Sequence, residues 1–150
     1  MVARRCLSLV LLGGGALSAC SSARLPVPAF QKQTWTYKTV GECEIKADVY
    51  SLPGAGPHPG VLFIHGGALI FGSRGSAFEH QLERYLHAGF VVIAIDYRLA
   101  PETKLPEIIA DLSDAYAWVR VEGPRLCNLD PERLAVLGHS AGGYLALILG

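Results

Sequence analysis

Three uninterrupted apolar runs, Val61-Leu62-Phe63-Ile64, Phe90-Val91-Val92-Ile93-Ala94-Ile95 and Leu134-Ala135-Val136-Leu137, constrain this chain more than any other feature. A strand with one wet face alternates polar and apolar residues, whereas an unbroken run needs cover on both faces, the condition of a strand inside a parallel sheet. Helical patterns separate the runs: Phe78, Leu82, Tyr85 and Leu86 share one face, and Ile108, Leu112, Ala115 and Val119 share another. Strands alternating with amphipathic helices predict right-handed crossovers and a parallel sheet. The stretch before them has a different period. Trp35, Tyr37 and Thr39 alternate with Thr34, Thr36 and Lys38, and Ile45, Ala47 and Val49 alternate with Glu44, Lys46 and Asp48 across a Gly41-Glu42 turn. Period two predicts an antiparallel hairpin with one buried face, which puts Glu44, Lys46 and Asp48 on the other. Residues 51–60, with Pro53, Pro57 and Pro59, read as a loop. The predicted order is β-β-β-α-β-α-β-α, an α/β fold.

In open α/β sheets ligands bind at the carboxyl ends of the strands, so the segments following the three runs are the candidates for chemistry. The first is followed by His65-Gly66-Gly67-Ala68, whose glycines let backbone N–H groups approach a bound carbonyl oxygen without Cβ obstruction. The second is followed by Asp96-Tyr97-Arg98-Leu99-Ala100-Pro101-Glu102, and the third by Gly138-His139-Ser140-Ala141-Gly142. A serine in a G-x-S-x-G turn between strand and helix is a nucleophile candidate, and the turn is tight enough to demand glycine two residues to either side. Gly138 and Gly142 meet that demand. The helix expected from Tyr144 onward points its N-terminus at Ser140, where free amides and the positive dipole end favour negative charge on a substrate oxygen.

HGGA, DYRLAPE and GHSAGG, in this order and on these elements, resemble the α/β-hydrolase fold and, within it, the esterase/lipase branch related to hormone-sensitive lipase. The resemblance covers roughly residues 34–150. It implies an α/β-hydrolase-type sheet, an antiparallel first hairpin followed by parallel strands with crossover helices. It also implies Ser140 as nucleophile and the backbone amides of Gly66, Gly67 and Ala141 as the oxyanion hole. In such enzymes His65 anchors its loop, and Asp96, Tyr97 and Arg98 are scaffolding. Ala68 stands where many relatives carry a third glycine, which narrows the acyl pocket and leaves both donor positions intact. The implied substrate is a small neutral ester and the implied reaction needs no cofactor.

A serine hydroxyl needs a base within hydrogen-bond reach and an acid that orients it, in this fold in the chain order Ser, Asp/Glu, His. Residues 141–150 contain neither an acid nor a histidine. The five histidines lie earlier: His58 in the Pro-rich loop, His65, His80 and His87 on the first helix, and His139, which beside a serine in this turn is expected to point away from it. Relatives add three more parallel strands after the nucleophile helix. The expectation is therefore a chain truncated after that helix and inactive as it stands. The third run then forms an open sheet edge, and Leu145, Leu147, Ile148 and Leu149 lose packing. Two alternatives stay open: a noncatalytic envelope lipoprotein that keeps the fold as a binding module, and a peptidase or acetylxylan esterase of the same fold.

The N-terminus carries a separate signal. Arg4-Arg5 precede an apolar stretch over residues 7–17, shorter than the roughly 20 residues that span a bilayer and suited to a signal-peptide core. It ends Leu17-Ser18-Ala19-Cys20, which resembles a bacterial lipobox. The expected organisation is a signal peptide over 1–19, a lipidated Cys20 and tether over 20–33, and the hydrolase-like domain over 34–150. The product is then an exported protein held on the membrane through its lipid. An unlipidated secretory signal and a twin-arginine signal are the alternatives. Cys43 and Cys127 stay in the domain, paired or free. No C-x-x-C or close His/Cys set suggests a metal. Across 150 residues, 13 Lys and Arg balance 13 Asp and Glu with no basic stripe, which excludes nucleic acid as a partner and makes electrostatic steering of a polyanion improbable.

Overall fold

The computed structural model describes residues 29–76 and 79–150. The signal segment, Cys20 and most of the expected tether lie outside the described residues, as does Phe78 of the first helical pattern. The elements run β1 (Gln31–Val40), β2 (Cys43–Ser51), β3 (His58–Ile64), a 3-10 turn (Arg74–Ser76), α1 (Glu79–His87), β4 (Val91–Ile95), α2 (Leu105–Cys127), β5 (Leu129–Gly138) and α3 (Ala141–Leu149). This is the order the sequence predicts. β1 begins at Gln31, inside the stretch read as tether.

The strands form one sheet in the order β1-β2-β4-β3-β5. β1–β2 and β2–β4 are antiparallel, while β3 runs parallel to both β4 and β5. α1 covers one face, where Leu86 packs with Tyr50, Val61, Phe63, Val92 and Ala94. α2 and α3 cover the other, where Ile108, Leu112, Ala115, Val119 and Leu145 meet Leu62, Ile64, Ile93 and Ile95. Every residue of β4 is buried, as an unbroken apolar run requires. α2 starts with a capping box in which the Lys104 amide donates to Glu107 Oε2 at 2.9 Å, and it stops at Asn128 in the left-handed conformation.

Two expectations are corrected. The alternation in β1 fails after Tyr37, because the register shifts between Thr36 and Lys38. Thr39 is thereby turned out, and Lys38 is turned toward α2, where its Nζ meets Asp111 at 2.7 Å and Asp114 at 2.6 Å. Asp48, which alternation puts on the open face of the hairpin, is only 2% exposed, because the 3-10 turn brings Arg74 onto that face. The run 134–137 lies on β5, the edge of the sheet, as expected of the third run, and is half-buried with Ala135 exposed. Near that edge Leu147 is 84% exposed and Tyr144 half-exposed.

Candidate active site

β5 runs beside β3 in a register that aligns Gly138 with Ile64, so the turn after β5 and the loop after β3 leave the sheet together. Ser140 sits between β5 and α3 with φ 53° and ψ −119°. A non-glycine residue there carries about 1–3 kcal/mol of backbone strain and persists only where its surroundings fix it. What fixes it is close packing of bare backbone. A Cβ on Gly138 would lie 2.0 Å from the Gly142 carbonyl oxygen, and one on Gly142 would lie 2.2 Å from that of Ile64. The first turn of α3 closes through the Gly142 amide to His139 O at 2.9 Å and the Gly143 amide to Ser140 O at 2.9 Å. The Ala141 amide, one residue earlier, makes no such bond and stands at the positive end of the helix.

The loop after β3 folds against this turn. A Cβ on Gly66 would lie 2.7 Å from His139 O and 3.2 Å from Ser140 Cβ, so only glycine allows the two segments this contact. Gly67 adopts φ 117°, and its carbonyl accepts the amides of Ile70 and Phe71, each at 3.0 Å. Ala68 and Leu69 follow at φ 51° and 67°, so the residue standing for a third glycine takes the conformation glycine would favour. Among the described residues the amides of Gly66 and Gly67 have no protein acceptor.

His65 is 1% exposed and stacked on Tyr97, the ring centroids 4.3 Å apart and the planes 11° from parallel. Its Nδ1 lies 2.7 Å from the Gly66 carbonyl, an acceptor only, so Nδ1 carries the proton and Nε2 is left as a buried lone pair with no partner among the described residues. Burial pushes its pKa down against the opposing pull of the Gly66 bond, which keeps the ring neutral. Tyr97 in turn donates its hydroxyl to His65 O at 3.1 Å. Arg98 forks onto Asp111 with two bonds of 2.8 Å, tying the segment after β4 to α2.

Sequence reasoning missed the group that holds the far end of the loop. Arg74 donates from Nε to Asp48 Oδ1 at 2.9 Å and from its backbone amide to Asp96 Oδ1 at 2.7 Å, and its Nη1 pairs with Asp96 Oδ2. Asp48 also accepts Thr34 Oγ1 at 2.7 Å and Lys32 Nζ at 2.9 Å. Burial opposes the Asp48 charge, but the bonds from Lys32, Thr34 and Arg74 outweigh it and hold the carboxyl below its usual pKa. No motif marks this set, since its members come from β1, β2, the 3-10 turn and the end of β4.

A cleft of about 710 Å³ opens over Ser140. Phe63, Ala68 and Phe71 give it apolar walls, Gln81 and His139 polar ones, and no Asp, Glu, Lys or Arg lines it among the described residues. His139 was expected to point away from the serine. It lines the cleft, with Nδ1 3.4 Å from where a Gly66 Cβ would sit, and among the described residues makes no hydrogen bond to Ser140. His58 belongs to β3 and His87 closes α1, and neither bonds Ser140. Cys43 is exposed and Cys127 buried, both unpaired. Among the described residues no group of His, Cys, Asp and Glu is arranged to hold a metal ion, and no helix is long and apolar enough to cross a membrane.

Residues 61–150 match the alpha/beta hydrolase fold family. Among solved structures, the chain is similar to a thermophilic esterase from the planctomycete Thermogutta terrifontis, at 31% identity and a TM-score of 0.69, over 77% of this chain and 42% of that one. It is also similar to a bacterial heroin esterase, at 32% identity and a TM-score of 0.70, over 83% of this chain and 39% of that one. Among curated proteins it resembles the non-reducing polyketide synthase pkbA of Emericella nidulans, at 42% identity over 74% of this chain. The chain spans 5% of that synthase's length.

Proposed function

The chain belongs to the alpha/beta hydrolase fold family, and from that premise we propose that it carries the nucleophile and oxyanion half of a serine carboxylesterase acting on small neutral esters. The observation that supports this most directly is the meeting of two segments at Ser140: a strained residue at a helix N-terminus, and a glycine loop whose Gly66 and Gly67 amides are unused. In the reaction Ser140 Oγ attacks the acyl carbon as its proton passes to a base, and the carbonyl π electrons move onto oxygen. That oxyanion is held by the amides of Gly66, Gly67 and Ala141. Collapse expels the alcohol, which takes the proton, and water repeats the sequence on the acyl-serine. The uncharged cleft suits a neutral ester.

Ser140 Oγ bonds no imidazole among the described residues, and residues 141–150 offer no acid or histidine. On this reading the base and its orienting acid are not among these 150 residues. Loss of a triad histidine costs about 10⁶ in kcat and typical enzymes turn over at about 10 s⁻¹, so these residues alone are expected to work at about 10⁻⁵ s⁻¹. The test is hydrolysis of 4-nitrophenyl butyrate by protein isolated from its native membrane fraction, beside its Ser140→Ala form. Activity that survives the substitution overturns the assignment.

The higher identity to polyketide synthases favours a second reading of the same chemistry, with the acyl group of a polyketide in place of a small acid. Faster turnover of a polyketide ester than of the butyrate would select it. Export and a lipid on Cys20 belong to the proposal as well. Labelled palmitate should enter the protein and be lost with Cys20→Ser.

A further inference from the structure

The loop that supplies the Gly66 and Gly67 amides is strained along much of its length. Gly67, Ala68, Leu69 and Gly72 all have positive φ, and two of these are not glycine. Such a run keeps its shape only when other contacts over-determine it. Three contacts are visible. His65 holds the Gly66 carbonyl at the start, and Ala100 donates its amide to Leu69 O at 2.8 Å at the tip. The third is on the returning arm. There a Cβ on Gly72 would lie 2.4 Å from Gly66 O and 2.6 Å from His65 Nδ1, and the Phe71 amide holds Gly67 O. The arm therefore presses directly on the 66–67 peptide, which carries the Gly67 amide, and bonds the carbonyl of the peptide after it.

Two residues beyond Gly72, Arg74 secures that arm. Among the described residues it is the only one of the segment with an ion pair, and it has two, to Asp48 on β2 and to Asp96 at the end of β4. Asp48 is immobilised in turn by Lys32 and Thr34 from β1. We infer that Arg74 is the positioning residue of the oxyanion hole, clamping the returning arm of the 65–74 loop to β2 and β4 so that the Gly66 and Gly67 amides stay aimed at Ser140. It touches no substrate and acts through Gly72 and Phe71. Its role as a positioner rests on the esterase reading. The clamp itself does not.

The experiment is hydrogen exchange by mass spectrometry on the whole chain and on Arg74→Gln and Arg74→Lys. Arg74→Gln should speed exchange in peptides covering residues 66–73 by about tenfold or more while β3, β4 and α2 keep their rates. Arg74→Lys, which keeps one charge but cannot fork to both carboxylates, should fall between. Unchanged rates over 66–73, or an equal rise across β2 and β4, overturn the inference. If Arg74→Gln does not fold, Arg74→Lys and Asp96→Asn decide by the same criterion. Affinity for butylboronic acid, followed by the tetrahedral ¹¹B signal, separates the two claims. Equal binding by the parent chain and Ser140→Ala sinks the esterase reading and leaves the clamp standing. Serine-dependent binding that Arg74→Gln weakens about tenfold, with partial recovery in Arg74→Lys, supports both.

Discussion

The loop over residues 65–74 and the turn over 138–142 meet at the same serine, yet they are held by different means. The loop is fixed by what its side chains reach: His65 to a carbonyl and a tyrosine ring, Arg74 to two carboxylates. The turn is fixed by what Gly138 and Gly142 lack, since backbone from β3 and α3 fills the space a Cβ would need. A structure held by polar partners responds to charge, pH and deletion. One held by empty space responds only to added atoms.

Adding an atom should give the largest effect. Gly142→Ala forces a methyl group to 2.2 Å from Ile64 O and 2.5 Å from His65 O, both backbone, and is expected to cost about 3 kcal/mol or more, read from the urea midpoint. The cost should be the same at pH 5 and pH 8. Removing a partner comes next. Asp48→Ala strands Arg74 and Lys32, both partly exposed, and is expected to cost about 2 kcal/mol by the same measurement. This loss should shrink in acid.

The pH profile sharpens the contrast further. His65 has its pKa lowered in the fold, so its contribution is fully present above its unfolded value, about 6.5, and is lost as pH falls through the lower folded value. Asp48 and Asp111 also have lowered values, so theirs is present above about 4 and is lost as pH falls below it. Thermal melts from pH 8 down to pH 3 should therefore show two declines, and His65→Asn should remove the first. The smallest effect is expected of Ala68→Gly, which relieves a positive φ and raises stability by up to about 1 kcal/mol, offset by the freer unfolded chain. A loss on this substitution would show that the Ala68 methyl packs against something the loop needs.

The element order, the parallel core and the seating of the serine were legible because each rests on local signals: unbroken apolar runs, a helical period, and a G-x-S-x-G turn whose glycines the packing does require. The rest depended on contacts between distant segments. Alternation assigns Asp48 to the open face correctly by period and wrongly by environment, because a turn 26 residues later covers that face. Thr39 and Lys38 exchange faces through a register shift that no residue type announces. His139 lies against Gly66 in the loop after β3, a contact that its place beside the serine does not announce.

The register of β5 on β3 has a consequence for how the molecule comes into being. Lys32, Thr34, Asp48, Arg74 and Asp96, which together brace the amide-bearing loop, are all synthesised before the first residue of β5. Folding that proceeds from the N-terminus can set the Gly66 and Gly67 amides, two of the three donors of the proposed oxyanion hole, while Ser140 and Ala141 are still unplaced. Ser140 and Ala141 meet the loop after β3 only when the edge strand adds to β3. On the esterase reading, the half-made protein until that docking has part of a place to hold a carbonyl and nothing to attack it with, so the timing of synthesis itself keeps the site silent.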